Sequence, residues 1–132
     1  MLLKKRDFLA FLFYNILMKK YFDEDQLKAI ERLGCTTDRY KVYLQRFRAD
    51  YSDSYLKLSE LISSNQLCEA RIHVHSVKGM AATLGLTALS KSAVNLEILL
   101  HNSPNISYLE ASSYFHSLNI ALEDYKKQIN SI

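Results

Sequence analysis

The stretch that decides the fold is CEARIHVHSVKGMAATLGLTALSKSAVNLEILL, Cys68 to Leu100, in which two apolar stripes of helical period meet at Gly85. On a wheel of about 100° per residue, Ala70, Val74, Val77, Ala81 and Leu84 form one continuous face. Beyond the glycine, Leu86, Leu89, Ala93, Leu96 and Leu100 form another. Two amphipathic helices joined by one glycine turn bury their stripes against each other and against further helices, so an antiparallel pair seeds the fold.

The flanking sequence supplies the remaining helices. Upstream, TTDRYKVYLQRFRADYSDSYLKLSELISS carries Tyr40, Leu44, Phe47, Tyr51, Leu58 and Leu61. That three-and-four spacing predicts one long helix of about 24 residues, capped by Thr36 or Thr37. Ser64 or Asn65 then caps the helix running to about Leu84, and the next spans about Thr87 to His101. Downstream, Ser103 followed by Pro104 is a cap-plus-first-turn signal for a last helix ending near Ile129. A shorter helix precedes them in FDEDQLKAIERLG, with Asp23 and Asp25 at its positive end, Leu27, Ile30 and Leu33 as its stripe, and Gly34 as its stop. The fold class is therefore all-α: an antiparallel four-helix bundle with one or two additional N-terminal helices.

Composition agrees. A chain of 132 residues that is 48% hydrophobic can bury one domain's core, and one proline with three glycines leaves little room for turns. The formal charge of +3 is small, and its lysines and arginines are interleaved with acids rather than ranged along one face, which argues against a nucleic-acid partner. Cys35 and Cys68 lack CxxC spacing and read as reduced thiols of a cytoplasmic protein. Residues 1–20 stand apart from the domain at 21–132. Their apolar run from Phe8 to Met18 is shorter than the roughly 20 residues that cross a bilayer, and it lacks a cleavage signal. It reads as a helix that packs on the domain or on a second copy. An interfacial segment, with Lys4, Lys5, Arg6, Lys19 and Lys20 on anionic lipid, is the less favoured reading.

The wheel also separates the histidines. Arg71, His75, Lys78, Gly79 and Ala82 fall opposite the core stripe, so His75 points outward. His73 is rotated from it by about 200° and lies at the flank of the stripe, where a ring with a hydrogen-bond partner is structural. Metal ligands on one helix need a spacing of three or four, so His73 and His75 do not make a metal site, and His101 and His116 complete no ligand set. Gly79, one turn beyond His75, costs about 1 kcal/mol relative to alanine in mid-helix and answers no packing need. It leaves backbone and imidazole open to something large. Lys78 puts an ammonium beside any anion on His75, and phosphate is the anion that suits a single exposed, nucleophilic imidazole. In the antiparallel pair His75 lies about 15 Å from the turn and Glu97 about 18 Å, close enough in height for the carboxylate to accept the proton of one ring nitrogen; an ordinary flank glutamate pairing with a lysine or arginine is the alternative.

HSVKGMAATLG, His75 to Gly85, with the following Leu96–Glu97, resembles the histidine-containing phosphotransfer domain of multistep two-component relays. The resemblance runs from about Phe22 to the C-terminus and includes LGCTTDRYKVYLQRFRADY, similar to the segment before the active helix in that family. It implies that His75 is phosphorylated at Nε2, that Lys78 steadies the phosphoryl group and that Gly79 clears space for a receiver domain. Glu97 matches a position where the family often has Gln or Glu to hold the other ring nitrogen, and His101 stands where some members add a basic residue. The implied activity is that of a phosphoryl carrier without autokinase activity, relaying between aspartates of response-regulator receiver domains, those of a hybrid sensor kinase and of a downstream regulator. No cofactor is implied for this chain, since Mg²⁺ belongs to the receiver's acidic pocket. Arg71, Ile72, Ala82 and Thr83 are the candidates for receiver docking. The alternative is a helical interaction or dimerisation module whose histidine is never phosphorylated. The initial Met1 favours a free-standing protein over a piece of a hybrid kinase.

Overall fold

The computed structural model describes residues 5–102 and 108–132. Among these the chain is helical and strand-free: α1 (Lys5–Met18), α2 (Glu24–Leu33), α3 (Thr37–Tyr51), α4 (Ser54–Ser63), α5 (Leu67–Thr83), α6 (Thr87–Asn102) and α7 (Tyr108–Ser131). The cap expected at Ser103 and Pro104 lies outside the described residues.

Both stripes that meet at Gly85 are buried along their whole length, from Ala70 to Leu84 and from Leu86 to Leu100. α5 packs on α6, α6 on α7, and α7 closes back onto α3 and α4, with α4 also against α5. The result is a four-membered antiparallel bundle in which α3 and α4 share one corner. Tyr40, Leu44 and Phe47 enter from α3, Leu58 and Ile62 from α4, and Phe115, Leu118 and Leu122 from α7. Burying a leucine or phenylalanine of this kind contributes about 2 kcal/mol, which offsets the conformational entropy that ordering the chain costs.

The long helix expected from Thr37 to Leu61 is two helices. Ser52 still has helical dihedrals and donates to the Arg48 carbonyl, the backbone leaves helical geometry at Asp53 (φ −98°, ψ 12°), and α4 begins at Ser54. Serine and aspartate compete for backbone hydrogen bonds and favour helix ends, so Ser-Asp-Ser is a natural place for the break. Lys126 of α7 donates to the Ser52 carbonyl at 3.2 Å. The interruption barely changes the phase of the buried face, which runs through Tyr40, Leu44, Phe47, Ser54, Leu58 and Ile62. A periodic stripe that continues in phase cannot reveal a bend.

α2 lies across the end of the bundle where α5 turns into α6. Asp23 and Gln26 form a reciprocal capping box, with the Gln26 N–H donating to Asp23 Oδ1 at 2.8 Å and the Asp23 N–H to Gln26 Oε1 at 3.0 Å. Gly34 ends the helix at φ +63°. The expected stripe of Leu27, Ile30 and Leu33 needs correction: Gln26 and Ala29 are the buried residues, Leu27 and Ile30 pack at the margin and Leu33 is exposed. The reason is the Gly85 turn. At φ +73° a Cβ on Gly85 would collide with the carbonyl of Asp25 and stand 3.0 Å from the Ala29 Cβ, so α2 sits on bare backbone through its small residue. Buried Gln26 exchanges amide hydrogen bonds with Gln128 of α7 at 2.8 and 2.9 Å.

α1 buries none of its residues, and Met18, at its last position, is where it meets the core. Apart from Met18, its large apolar side chains are exposed on the single chain. No helix among the described residues is long and apolar enough to cross a membrane.

Candidate functional site

α5 owes its direction to its buried stripe, and that stripe sets His75 on the outer face. The His75 side chain is 71% exposed. Its Nδ1 lies 2.9 Å from Glu97 Oε2 on α6. A carboxylate only accepts, so the proton of that bond sits on Nδ1, and in the neutral ring the lone pair is left on Nε2. Nε2 has no hydrogen-bond partner among the described residues. The arrangement is a fixed tautomer with its nucleophilic nitrogen toward solvent.

Glu97 serves two partners. Its Oε1 accepts from Lys78 Nζ at 2.8 Å, while Oε2 accepts from His75, and its side chain is only 27% exposed. The Lys78 hydrogen bond, and secondarily that of His75, hold the Glu97 carboxyl below the usual carboxylate range, against the upward push of burial. Lys78 is thus not a free ammonium beside the ring. It is anchored on the carboxylate that orients the ring, within one turn of His75 on α5.

Gly79 is exposed, and a Cβ built on it meets nothing within 4 Å. No internal contact asks for glycine there, which leaves an open face next to His75. The far end of α5 is tied down: Arg32 of α2 donates to the carbonyls of Ala82 and Thr83 at 3.2 and 3.1 Å, and buried Tyr40 donates to the carbonyl of Leu84. Burial pushes the Tyr40 phenol well above its ordinary value, keeping it a donor. The sequence marks Tyr40 only as an apolar position of the α3 stripe and does not mark Arg32, since nothing local identifies a side chain that caps a helix 44 to 51 residues downstream.

His73 turns the other way. Its Nε2 lies 2.9 Å from Ser54 Oγ, and its ring contacts that of Tyr51 in a tilted arrangement, centroids 5.9 Å apart. Burial, reinforced by Lys57, lowers its pKa against the opposing charge of Asp53, so it is a neutral structural ring. No group of three or more His, Cys, Asp or Glu among the described residues is placed to hold a metal ion.

An open hollow of about 590 Å³ adjoins His75, walled by Arg71, Ile72 and Ser76 on α5 and by Glu97, Ile98 and His101 on α6. The Hpt domain family model matches residues 42–128, well over half of the chain. The chain belongs to the histidine-containing phosphotransfer (Hpt) domain family. No curated protein and no solved structure matches it.

The family fixes the role at its own level: histidine phosphotransfer in signalling, as a phosphoryl carrier between receiver domains rather than an autokinase. Within this Hpt domain the four residues His75, Lys78, Gly79 and Glu97 come together. The docking candidates divide. Arg71 and Ile72 line the hollow at His75, whereas Ala82 and Thr83, exposed two turns further on, do not. Ile98 and Asn102, which the α5 wheel had no means of selecting, complete its α6 wall.

Proposed function

We propose that His75 is the residue of this Hpt domain that carries the phosphoryl group, relaying it between the receiver domain of a hybrid sensor kinase and that of a downstream regulator in the cytoplasm. The observation that carries the reading is the 2.9 Å bond from His75 Nδ1 to Glu97, on a ring that is 71% exposed. In the forward step the Nε2 lone pair attacks the phosphorus of a receiver's aspartyl phosphate. The N–P bond forms as the acyl P–O bond breaks, and the aspartate leaves as carboxylate. The Nδ1 proton stays in place, and the ring's gain of positive character is met by the Glu97 carboxylate. The second step is the same exchange run backwards onto another receiver's aspartate.

Lys78 supports the step from the side. Its ammonium already sits on Glu97 Oε1, so swinging between that oxygen and a phosphoryl oxygen needs only side-chain rotation. Arg71 and His101 line the hollow beside His75 and offer further donors to a dianionic group. Exposed Ile72 and Ile98 supply apolar contact for a receiver helix, Gly79 admits its close approach, and Ala82 and Thr83 form the outer margin. Mg²⁺, where the reaction uses it, is the receiver's.

Incubating the chain with a ³²P-labelled phosphorylated receiver tests this. Label should appear on the chain as acid-labile, base-stable phosphate, map to His75, and be absent from His75→Gln. Undiminished labelling of His75→Gln would sink the assignment.

A further inference from the structure

α1 is an apolar helix without a home in its own chain. Its apolar residues run most of the way round: Phe8, Leu9, Phe11, Leu12, Phe13 and Ile16 share an arc of about 200° that also takes in Lys5 and Asn15, while Leu17 lies outside it with Asp7, Ala10 and Tyr14. Phe13, Ile16 and Phe11, on that arc, are 69%, 63% and 61% exposed. Met18, the residue that touches the core, lies at the arc's edge, so the attachment to the bundle leaves the arc free.

The ends of the helix say what covers it. Lys5 and Arg6 precede the apolar run and Lys19 and Lys20 follow it, with Asp7 as the one acid in the helix. None of these four cations makes an ion pair among the described residues. The nearest acids beyond the helix are engaged, Asp23 as the α2 cap, Glu24 with Lys28, and Asp25 with Thr87. A second copy is a poor fit to this charge pattern. Antiparallel pairing of two α1 helices sets Lys19 and Lys20 against Lys5 and Arg6, and parallel pairing sets each cluster against itself. An anionic surface fits both ends at once.

Polarity and length point the same way. The Asn15 amide, inside the apolar run, donates to the Phe11 carbonyl at 2.8 Å, which removes much of the cost of placing it in an apolar medium. Fourteen residues span about 21 Å, too short for a hydrocarbon core of about 30 Å. Lying flat, the helix sinks its aromatic arc below the headgroups while all four cations reach lipid phosphates. We infer that α1 is an in-plane membrane anchor that binds the surface of an anionic bilayer and holds the bundle against it. The inference makes no use of His75 and stands apart from the relay chemistry.

Co-sedimentation of the full chain with phosphatidylcholine vesicles containing about 30 mol% phosphatidylglycerol tests it. The chain should pellet with these vesicles and bind pure phosphatidylcholine at least tenfold more weakly, on the basis of about fivefold per surface cation. Phe11→Asp with Phe13→Asp should abolish binding while leaving helicity and labelling by a receiver unchanged. Lys19→Glu with Lys20→Glu should weaken it more than tenfold. A wild-type chain that stays in the supernatant overturns the inference, as does binding indifferent to the aspartates. A dimer in sedimentation equilibrium that the aspartates disperse, without vesicle binding, also overturns it and gives α1 to a second copy.

Discussion

At the scale of single residues the chemistry rests on where one proton sits. Free imidazole in water has no partner to hold its proton on Nδ1, and here Glu97 supplies one at 2.9 Å. Glu97→Ala should release the ring: ¹⁵N shifts of the His75 side chain should move away from the Nδ1–H tautomer, and the rate of labelling by a phosphorylated receiver should fall about ten- to hundredfold as orientation is lost. Glu97→Gln keeps an acceptor and should fall less. Gly79 gives a prediction in which stability and function part. With nothing within 4 Å of its would-be Cβ, Gly79→Ala should raise the unfolding free energy by about 1 kcal/mol in urea titration, through helix propensity alone. Gly79→Gln should fold as well and transfer poorly, because its side chain stands where the receiver approaches. A Gly79→Gln domain transferring at the wild-type rate would remove the docking role.

Between elements, polar groups at helix ends set the architecture as much as the apolar stripes do. The C-terminus of α5 is held by Tyr40 from α3 and Arg32 from α2, and the following turn accepts α2 only because Gly85 has no side chain. Gly85→Ala combines a left-handed backbone with a collision and should cost about 3 kcal/mol, read as a lowered urea midpoint with an unchanged slope. Tyr40→Phe leaves a buried carbonyl unpaired and should cost about 2 kcal/mol. His73 ties α5 to the start of α4, and its lowered pKa has a definite sign. A group that binds its proton less readily when folded favours folding in full above its unfolded value near 6.5, and that contribution is lost as pH falls through the lower folded value. Urea midpoints should therefore decline as pH drops below about 6.5, and His73→Gln should flatten that part of the curve.

For the whole molecule, what the sequence makes legible is whatever is local and periodic. The α5–α6 pair, its glycine turn and the outward ring of His75 all follow from 3.6-residue spacing, and so does the height match that brings Glu97 to it. What escapes is set by distant partners. The break at Asp53 leaves the stripe in phase; α2 buries Ala29 rather than Leu33 because a turn about 55 residues away receives it; and Glu97 holds both His75 and Lys78, where the sequence offers the two pairings as alternatives. The same division explains α1. Its helix is legible, but its lack of a place in the bundle emerges only once α3 to α7 have buried their stripes against one another. A part that buries none of its residues adds little to the stability of the rest. Removing residues 1–17, which keeps Met18 and everything after it, should shift the thermal midpoint in detergent-free buffer by no more than about 2 °C, since a domain of this size loses several degrees for each kcal/mol. The truncated bundle should still take label from a receiver. A fall of ten degrees or more would show that α1 supports the bundle, contrary to its exposure.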